Sequence, residues 1–436
     1  MTDLRYHIDS IRMIDSHEHL EKEPVYLEHR PDILENVFGG YLTEDLIVAG
    51  ATPTAIERLI DSSDLDLERR FTGIAAAWER CRQTGYGEAA QLTAKHVYGI
   101  AEISWESILN ASGQDAVLQA PGERLRLLRD VAGLDHVQID DYRWVTEPDP
   151  SGLDFFLYDL SINRFARGAI EVETLQAEVG VEVTNLATLA RAMEAVFAKY
   201  GPRAIAVKSQ HAYQRTLDWQ AREDADATVV LDNLLAGATL SEADQRCLGD
   251  WCLACGVELA GEYGLPVKIH TGYLAGHGFM EIDRVRAGQL SALLARYPDT
   301  RFVLMHISYP YGDELVALAK HYPNVYVDLC WAWSIDPWAT SDFVRRVIHA
   351  VPDHKLFGFG GDTDWPAQSV GYAFQARKWL TWTLQQEIDD GFLIEQQAMD
   401  LATRFLRTNQ QECFDIEGTR AAIQTVMAEG SPSSHM

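Results

Sequence analysis

His17 and His19 stand one residue apart at the end of an apolar run, Ile11-Arg-Met-Ile-Asp-Ser-His17-Glu-His19-Leu20. In a β-strand, residues i and i+2 point to the same face. Two imidazoles therefore aim at one point where strand gives way to loop. Neutral imidazole suits zinc, manganese and iron(II), and a catalytic ion needs about three protein ligands plus an open position for water. Taken alone, His-x-His is a weak signal, because surface and core histidines show the same spacing.

Further segments repeat the form, an apolar run ending in a residue that can bind metal or substrate. They are Gly264-Leu-Pro-Val-Lys-Ile-His270-Thr-Gly-Tyr273, Arg301-Phe-Val-Leu-Met-His306-Ile-Ser-Tyr-Pro310 and Lys355-Leu-Phe-Gly-Phe-Gly-Gly-Asp362-Thr-Asp-Trp365. Another, Ala204-Ile-Ala-Val-Lys208-Ser-Gln-His211-Ala-Tyr213, ends in Lys and His. The stretches between them have roughly helical period, as at Ile282, Val285, Leu290, Leu293 and Leu294. Alternating strand and helix predicts a parallel sheet with helices outside. Polar residues at the carboxyl ends of several such strands predict a (β/α)8 barrel, where those ends share one face.

The elements that must position these residues follow from a pass along the chain. Residues 11–19 are the first strand, and 136–141 and 155–160 the second and third. Residues 21–133 carry amphipathic stretches at 42–48, 53–61, 69–84 and 88–109, too long for a barrel loop. They predict a helical insertion beside the active-site mouth. Thr184–Tyr200 is a helix, another ends near Tyr263, Asn324–Leu329 is the seventh strand, and 371–428 are terminal helices. The expected architecture is α/β: a distorted (β/α)8 TIM barrel with a helical insertion and C-terminal helices, one domain over 1–430. The tail 431–436 reads as disordered. Arg143, Arg164 and Arg167 follow the early strands closely, where they face an anionic substrate or are surface arginines.

The order His-x-His, Lys, His, His, Asp, each at a strand end, resembles the ligand order of the amidohydrolase superfamily from first strand to eighth. The likeness is nearest to the branch of uronate isomerases, aromatic-acid decarboxylases and amidohydrolase-like domains fused to glutamine synthetase. Lys208-Ser-Gln-His-Ala-Tyr213-Gln-Arg215-Thr-Leu217, Arg296 to Pro310 and Asn324 to Leu329 carry it. The resemblance implies one divalent transition metal, zinc or manganese, held by His17, His19, His270 and Asp362. It also implies Asp362 as general base, and His306 either holding substrate or binding a second ion. A dimer is implied in the same way. Gly360-Gly361 suits close backbone approach before Asp362, with Asp364 its rival.

Lys208 decides the metal count. A carbamylated Lys208 would bridge two ions; a charged one would grip a substrate carboxylate with His211, Tyr213 and Arg215 nearby; a barrel-end salt bridge is the third reading. One metal is the expectation. Hydrolysis of a C–N or C–O bond in a small carboxylate-bearing substrate leads. Decarboxylation of an aromatic acid is the alternative, drawn from Tyr273, Trp331, Trp333 and Trp365 near strand ends. Sugar-acid isomerisation is third, and a binding barrel without catalysis is disfavoured by the full ligand set.

Composition fits a soluble enzyme of 436 residues with 47% apolar residues. Its 37 basic and 65 acidic residues give a net charge of −28, which disfavours nucleic acid or anionic membrane as partner. The polar start and the lack of a membrane-length apolar run predict a cytoplasmic protein. Cys252-Leu-Ala-Cys255 has no second pair at zinc-ribbon spacing and lies in a helix-like stretch. It reads as helix cysteines in a reducing compartment.

Overall fold

The computed structural model describes residues 3–276, 278 and 280–430; the tail expected to be disordered, 431–436, lies outside them. Among the described residues nine strands form: β1 (Met13–Glu18), β2 (Leu134–Ile139), β3 (Phe156–Tyr158), β4 (Leu160–Ser161), β5 (Val207–Ser209), β6 (Val267–Ile269), β7 (Phe302–Leu304), β8 (Val325–Asp328) and β9 (Leu356–Phe357). All pair in parallel, in the orders β1-β2-β3 and β4-β5-β6-β7-β8-β9. Every residue of β1, β5, β6 and β7 is buried, as expected of a parallel sheet covered on both faces.

β3 and β4 are halves of one barrel strand, broken at Asp159. Backbone bonds continue across the break, Asp159 N–H to the Ile139 carbonyl (2.7 Å) and Leu160 N–H to that of Ala206 (2.8 Å). The segment after β9 closes the ring onto β1. Ser16 N–H donates to the Phe359 carbonyl (3.1 Å), Asp362 N–H to that of His17 (2.9 Å) and His19 N–H to that of Thr363 (3.2 Å). The first and last strand ends are thus stitched together, which carries His17 and His19 to Asp362.

Between β1 and β2 lie helices that include Glu23–His29, Ile33–Phe38, Leu42–Val48, Pro53–Leu59, Leu67–Cys81, Gly85–Tyr98 and Trp105–Ala111. The run read as one helix over 88–109 is two. Gly99 takes the left-handed C-cap (φ 71°), and Ser104 caps the next helix through Ser107. Residues 282–294 likewise form two 3₁₀ turns before a short helix, Ser291–Arg296. Cys252 and Cys255 sit in helix Glu242–Glu262, and neither forms a disulfide. Among the described residues, no helix is long and apolar enough to cross a membrane.

Candidate metal centre

Three ligand atoms converge at the carboxyl end of the barrel. His17 Nε2 lies 3.3 Å from His19 Nε2 and 3.1 Å from Asp362 Oδ1, and His19 Nε2 lies 3.3 Å from the same oxygen. Atoms bound to one zinc-type ion at about 2.0–2.1 Å stand roughly 3.0–3.4 Å apart. The triangle has those edges. All three residues are buried.

Hydrogen bonds around the triangle orient it. His19 Nδ1 donates to the Asp140 carbonyl (2.7 Å), leaving Nε2 as the lone-pair nitrogen facing Asp362. A lone pair and a carboxylate at that distance repel unless positive charge lies between them. The pKa of His19 says the same: burial works against its charge, yet Asp362 raises it overall. Burial and Lys208 hold His17 low. Burial opposes ionisation of Asp362, but His17 and His19 keep it well below the usual carboxylate range. Two imidazoles and a carboxylate converging in this way can hold a divalent cation.

The close approach expected at Gly360-Gly361 is there. A Cβ on Gly361 would stand 2.1 Å from Glu18 Oε1, so β1 and the closing segment could not meet as they do. Asp362 itself has a positive φ of 56°, as do His306 (62°), Ile307 (48°), Ser308 (51°), Trp331 (63°) and Tyr142 (63°). Non-glycine residues in that region mark backbone strain gathered at the site. Asp364 lines the cavity wall outside the triangle, and burial raises its pKa.

His306 Nδ1 donates to the Cys330 carbonyl (2.9 Å), so its Nε2 is a free lone pair 3.8 Å from Asp362 Oδ2 and without a hydrogen-bond partner. Burial lowers its pKa to about 4, and it is neutral. Cys330, which sequence spacing did not single out, groups with His306 and Asp362 as a second buried set of ligand atoms. Lys208 Nζ stands 3.0 Å from His17 Nε2 and 3.9 Å from Asp140 Oδ2.

His270 departs from the expected set. Its ring packs 4.3 Å from that of His306, but its Nε2 donates to the Tyr273 carbonyl (2.8 Å) and takes no part in the triangle. The cause is the turn at Gly272 (φ 77°), pressed against Ser308 and Tyr309, which folds Tyr273 back over the ring.

A cavity of about 430 Å³ opens beside the triangle, lined by His19, His270 and Asp362 at one end and by Asn163, Arg164 and Arg167 at the other. Tyr213 also lines it, its hydroxyl accepting from Ala275 N–H (3.1 Å). Tyr41 and Tyr142 are its aromatic walls; Tyr142 stacks on His19 at 4.4 Å. No spacing in the sequence marked Tyr41, Tyr142 or Gln210, although Arg164 and Arg167 follow β4 closely enough to be noticed.

Other expected substrate contacts lie elsewhere. Arg215 bonds Asp250 Oδ1 (2.9 Å) and the Ala166 carbonyl (2.8 Å), outside this cavity. His211 is buried against Ser209 Oγ (2.8 Å), with its pKa driven well down by burial. Trp331 backs His306 at 5.4 Å, Tyr273 lies 5.7 Å from Trp331, and Trp365 packs on His29 at 5.0 Å. Trp333 donates to the Gly358 carbonyl (3.0 Å), within the core. Beneath the triangle, Lys268 Nζ bonds Asp159 (2.9 Å) and the Ser16 carbonyl (2.8 Å), fully buried.

Residues 183–393 match the sequence model of the amidohydrolase family. The chain resembles the amidohydrolase superfamily. Over 231 residues, 49% of this chain, it is 26% identical to the protein fluG of Emericella nidulans, and it spans about a quarter (26%) of that relative's length. In fold it is similar to a uronate isomerase of Thermotoga maritima, with a TM-score of 0.77 at 15% identity over 94% of this chain and 96% of the other. It is also similar to a glucuronate isomerase of Caulobacter crescentus (0.75, 16%, covering 94% and 92%). The structural likenesses establish an α/β barrel fold. The amidohydrolase match begins after β4, so the His17–His19 pair lies outside it and rests on the geometry above.

Proposed function

We propose that the protein is a metal-dependent hydrolase that cleaves a C–N or C–O bond, of amide or lactone type, in a small carboxylate-bearing substrate. The observation that carries this is the triangle of His17 Nε2, His19 Nε2 and Asp362 Oδ1, with edges of 3.1 and 3.3 Å. The amidohydrolase match over 183–393 supports it.

His17, His19 and Asp362 would hold one divalent ion, zinc or manganese, which supplies Lewis acidity at a substrate oxygen. The chain's own residues do the rest. Asp362, kept ionised by the imidazoles, accepts the proton of the attacking water and returns it to the leaving nitrogen or oxygen. His306 offers a lone pair at Nε2 and accepts a substrate hydrogen bond. Tyr213, whose oxygen already accepts from Ala275, turns its own proton to the cavity, where it can donate to developing negative charge. Lys208, beside His17, is assigned to the one-metal arrangement without a bridging carbamate.

One observation favours a second reading, sugar-acid isomerisation. The cavity wall is polar on several sides, with Asn163, Gln210, Gln214 and Tyr142 able to hold hydroxyl groups. The aromatics behind the decarboxylase alternative, Tyr273, Trp331 and Trp365, do not line the cavity.

Metal-reconstituted protein screened against amides, lactones, uronates and aromatic acids tests the reading. Hydrolysis that follows metal content is expected, at about one equivalent of ion. Solvent-proton exchange at C2 of a uronate, with no hydrolysis of any amide or lactone, would replace hydrolase by isomerase. Two equivalents with a carboxylated Lys208 would replace the one-metal arrangement.

A further inference from the structure

A second cavity of about 590 Å³ adjoins the first, and the two share Arg167 and Gln214 in their walls. Arginines surround both, and all but one are committed. Arg164 pairs with Glu171, Arg215 with Asp250 and Arg246 with Asp218, while Arg284 donates to the Gln214 carbonyl (2.8 Å). Arg167 has neither a carboxylate nor a carbonyl partner for its guanidinium among the described residues, and its Nε is shut off from water with no acceptor. Buried donors are ordinarily satisfied, and an orphan one calls for an explanation.

Arg167 is also held in place. Its own N–H donates to the Asn163 carbonyl (3.1 Å), the next N–H, of Gly168, to that of Phe165 (2.9 Å), and Arg215 Nε grips the Ala166 carbonyl (2.8 Å). A guanidinium carried on a backbone turn held by these bonds, lining the catalytic cavity and free of acids, can take a carboxylate through two parallel N–H bonds.

We propose that Arg167 is the carboxylate anchor of an elongated substrate, whose reacting bond lies against Asp362 in the first cavity while its acid end sits at the border of the second. The ligand class is a small carboxylic acid with the acid group several atoms from the bond that breaks, and this rests on the hydrolase reading.

Binding, without turnover, tests it. Calorimetry on metal-loaded protein, with a chelator-treated sample in parallel, uses glutarate and its neutral counterpart glutaramide as probes. Glutarate should bind at least about tenfold tighter than glutaramide, and Arg167→Gln should lose about tenfold for glutarate with unchanged thermal stability, as expected for a bidentate charged pair. Arg167→Lys should fall between, and Arg164→Gln should stay within about twofold, because Arg164 is spoken for by Glu171. Arg167→Gln binding glutarate like the parent protein would overturn the anchor. So would equal binding of the two probes, or binding of neither. Glutarate lost on chelation but kept in Arg167→Gln would place the acid at the ion and overturn it too. Failure of the hydrolase reading shows separately, as absent bond cleavage with glutarate binding intact.

Discussion

Two strand-end segments look alike in sequence and end differently. At the end of β1, whose register shifts between Asp15 and Glu18, His17 and, one residue past the strand, His19 both reach Asp362. After β5, the chain turns at once into a 3₁₀ turn, His211–Tyr213, and the alternation is lost. His211 falls back on Ser209, Arg215 swings to Asp250, and of the three only Tyr213 reaches the cavity. A polar residue at or beyond a barrel strand end therefore belongs to the site only where the local backbone, bulged or turned, carries it to the common face. The closing segment extends that geometry on the β1 side, since Asp362 N–H is bonded to the His17 carbonyl.

The sharpest way to break this contrast is at the triangle. His17→Ala or His19→Ala removes one of three converging atoms, and metal and hydrolysis should be lost together, by more than about a hundredfold, since even outer-shell changes cost 10–100-fold. Elemental analysis beside the activity assay checks it. A variant that keeps both metal and activity would move the site away from β1.

Asp362→Asn should keep the fold and lose about 10²–10⁴ in rate, because an amide cannot take the proton from water. Asp364→Asn should change rate far less, since Asp364 only lines the wall. The reverse ranking would exchange the two aspartates. Rates and melting temperatures measured on both variants decide it.

What could be read in advance follows the same contrast. The strand ends His17, His19, His306 and Asp362 were legible because periodicity places a strand and the strand places its side chains. Helix Leu42–Val48 was legible through its apolar spacing. The break at Gly99 was missed because one glycine in a helical pattern is tolerated as often as it caps. Asp159–Lys268, Asp140 and Tyr142 were invisible for a different reason. Each gains its role from a partner far away in the chain, such as Lys268 for Asp159 at 109 residues' separation. A charged residue inside an apolar run carries no sign of which other strand will neutralise it. His270 was read from its strand end, but the turn at Gly272 that occupies its Nε2 is a tertiary contact with Ser308 and Tyr309.

On the β5 side the expected loss is in stability. Arg215 is buried and paired with Asp250, itself fully buried and also held by Arg222. Arg215→Ala leaves that acid short of one partner, and about 2–3 kcal/mol of folding free energy should go, at the lower end of a broken buried pair because Arg222 remains. Metal content should not change. Denaturant unfolding with parallel metal analysis tests this, and a variant with full stability but lost metal would return Arg215 to the site.

The smallest effect concerns the wall beyond β6, which is pinned by the insertion rather than by strand geometry. Glu44, from helix Leu42–Val48, accepts the Gly276 N–H, and its other oxygen is buried without a partner. Burial pushes its carboxyl up to about 7, with the Gly276 bond opposing only in part. Its folded pKa therefore lies above the unfolded value of about 4.3, so the native state holds the proton more tightly. Stability from this group is fully present at low pH, falls as pH rises from about 4 to 7, and is constant above that. Glu44→Gln keeps an acceptor for Gly276 but has no charge to bury. Its folding free energy, from melting curves, should match the parent's near pH 4 and exceed it increasingly towards pH 7.5, by about 1 kcal/mol once partial solvation is allowed for. A gap that widened instead as pH fell would mean that Glu44 is ionised and paired in the folded protein. The insertion would then hold the β6 wall by charge, as Asp250 holds Arg215 beyond β5.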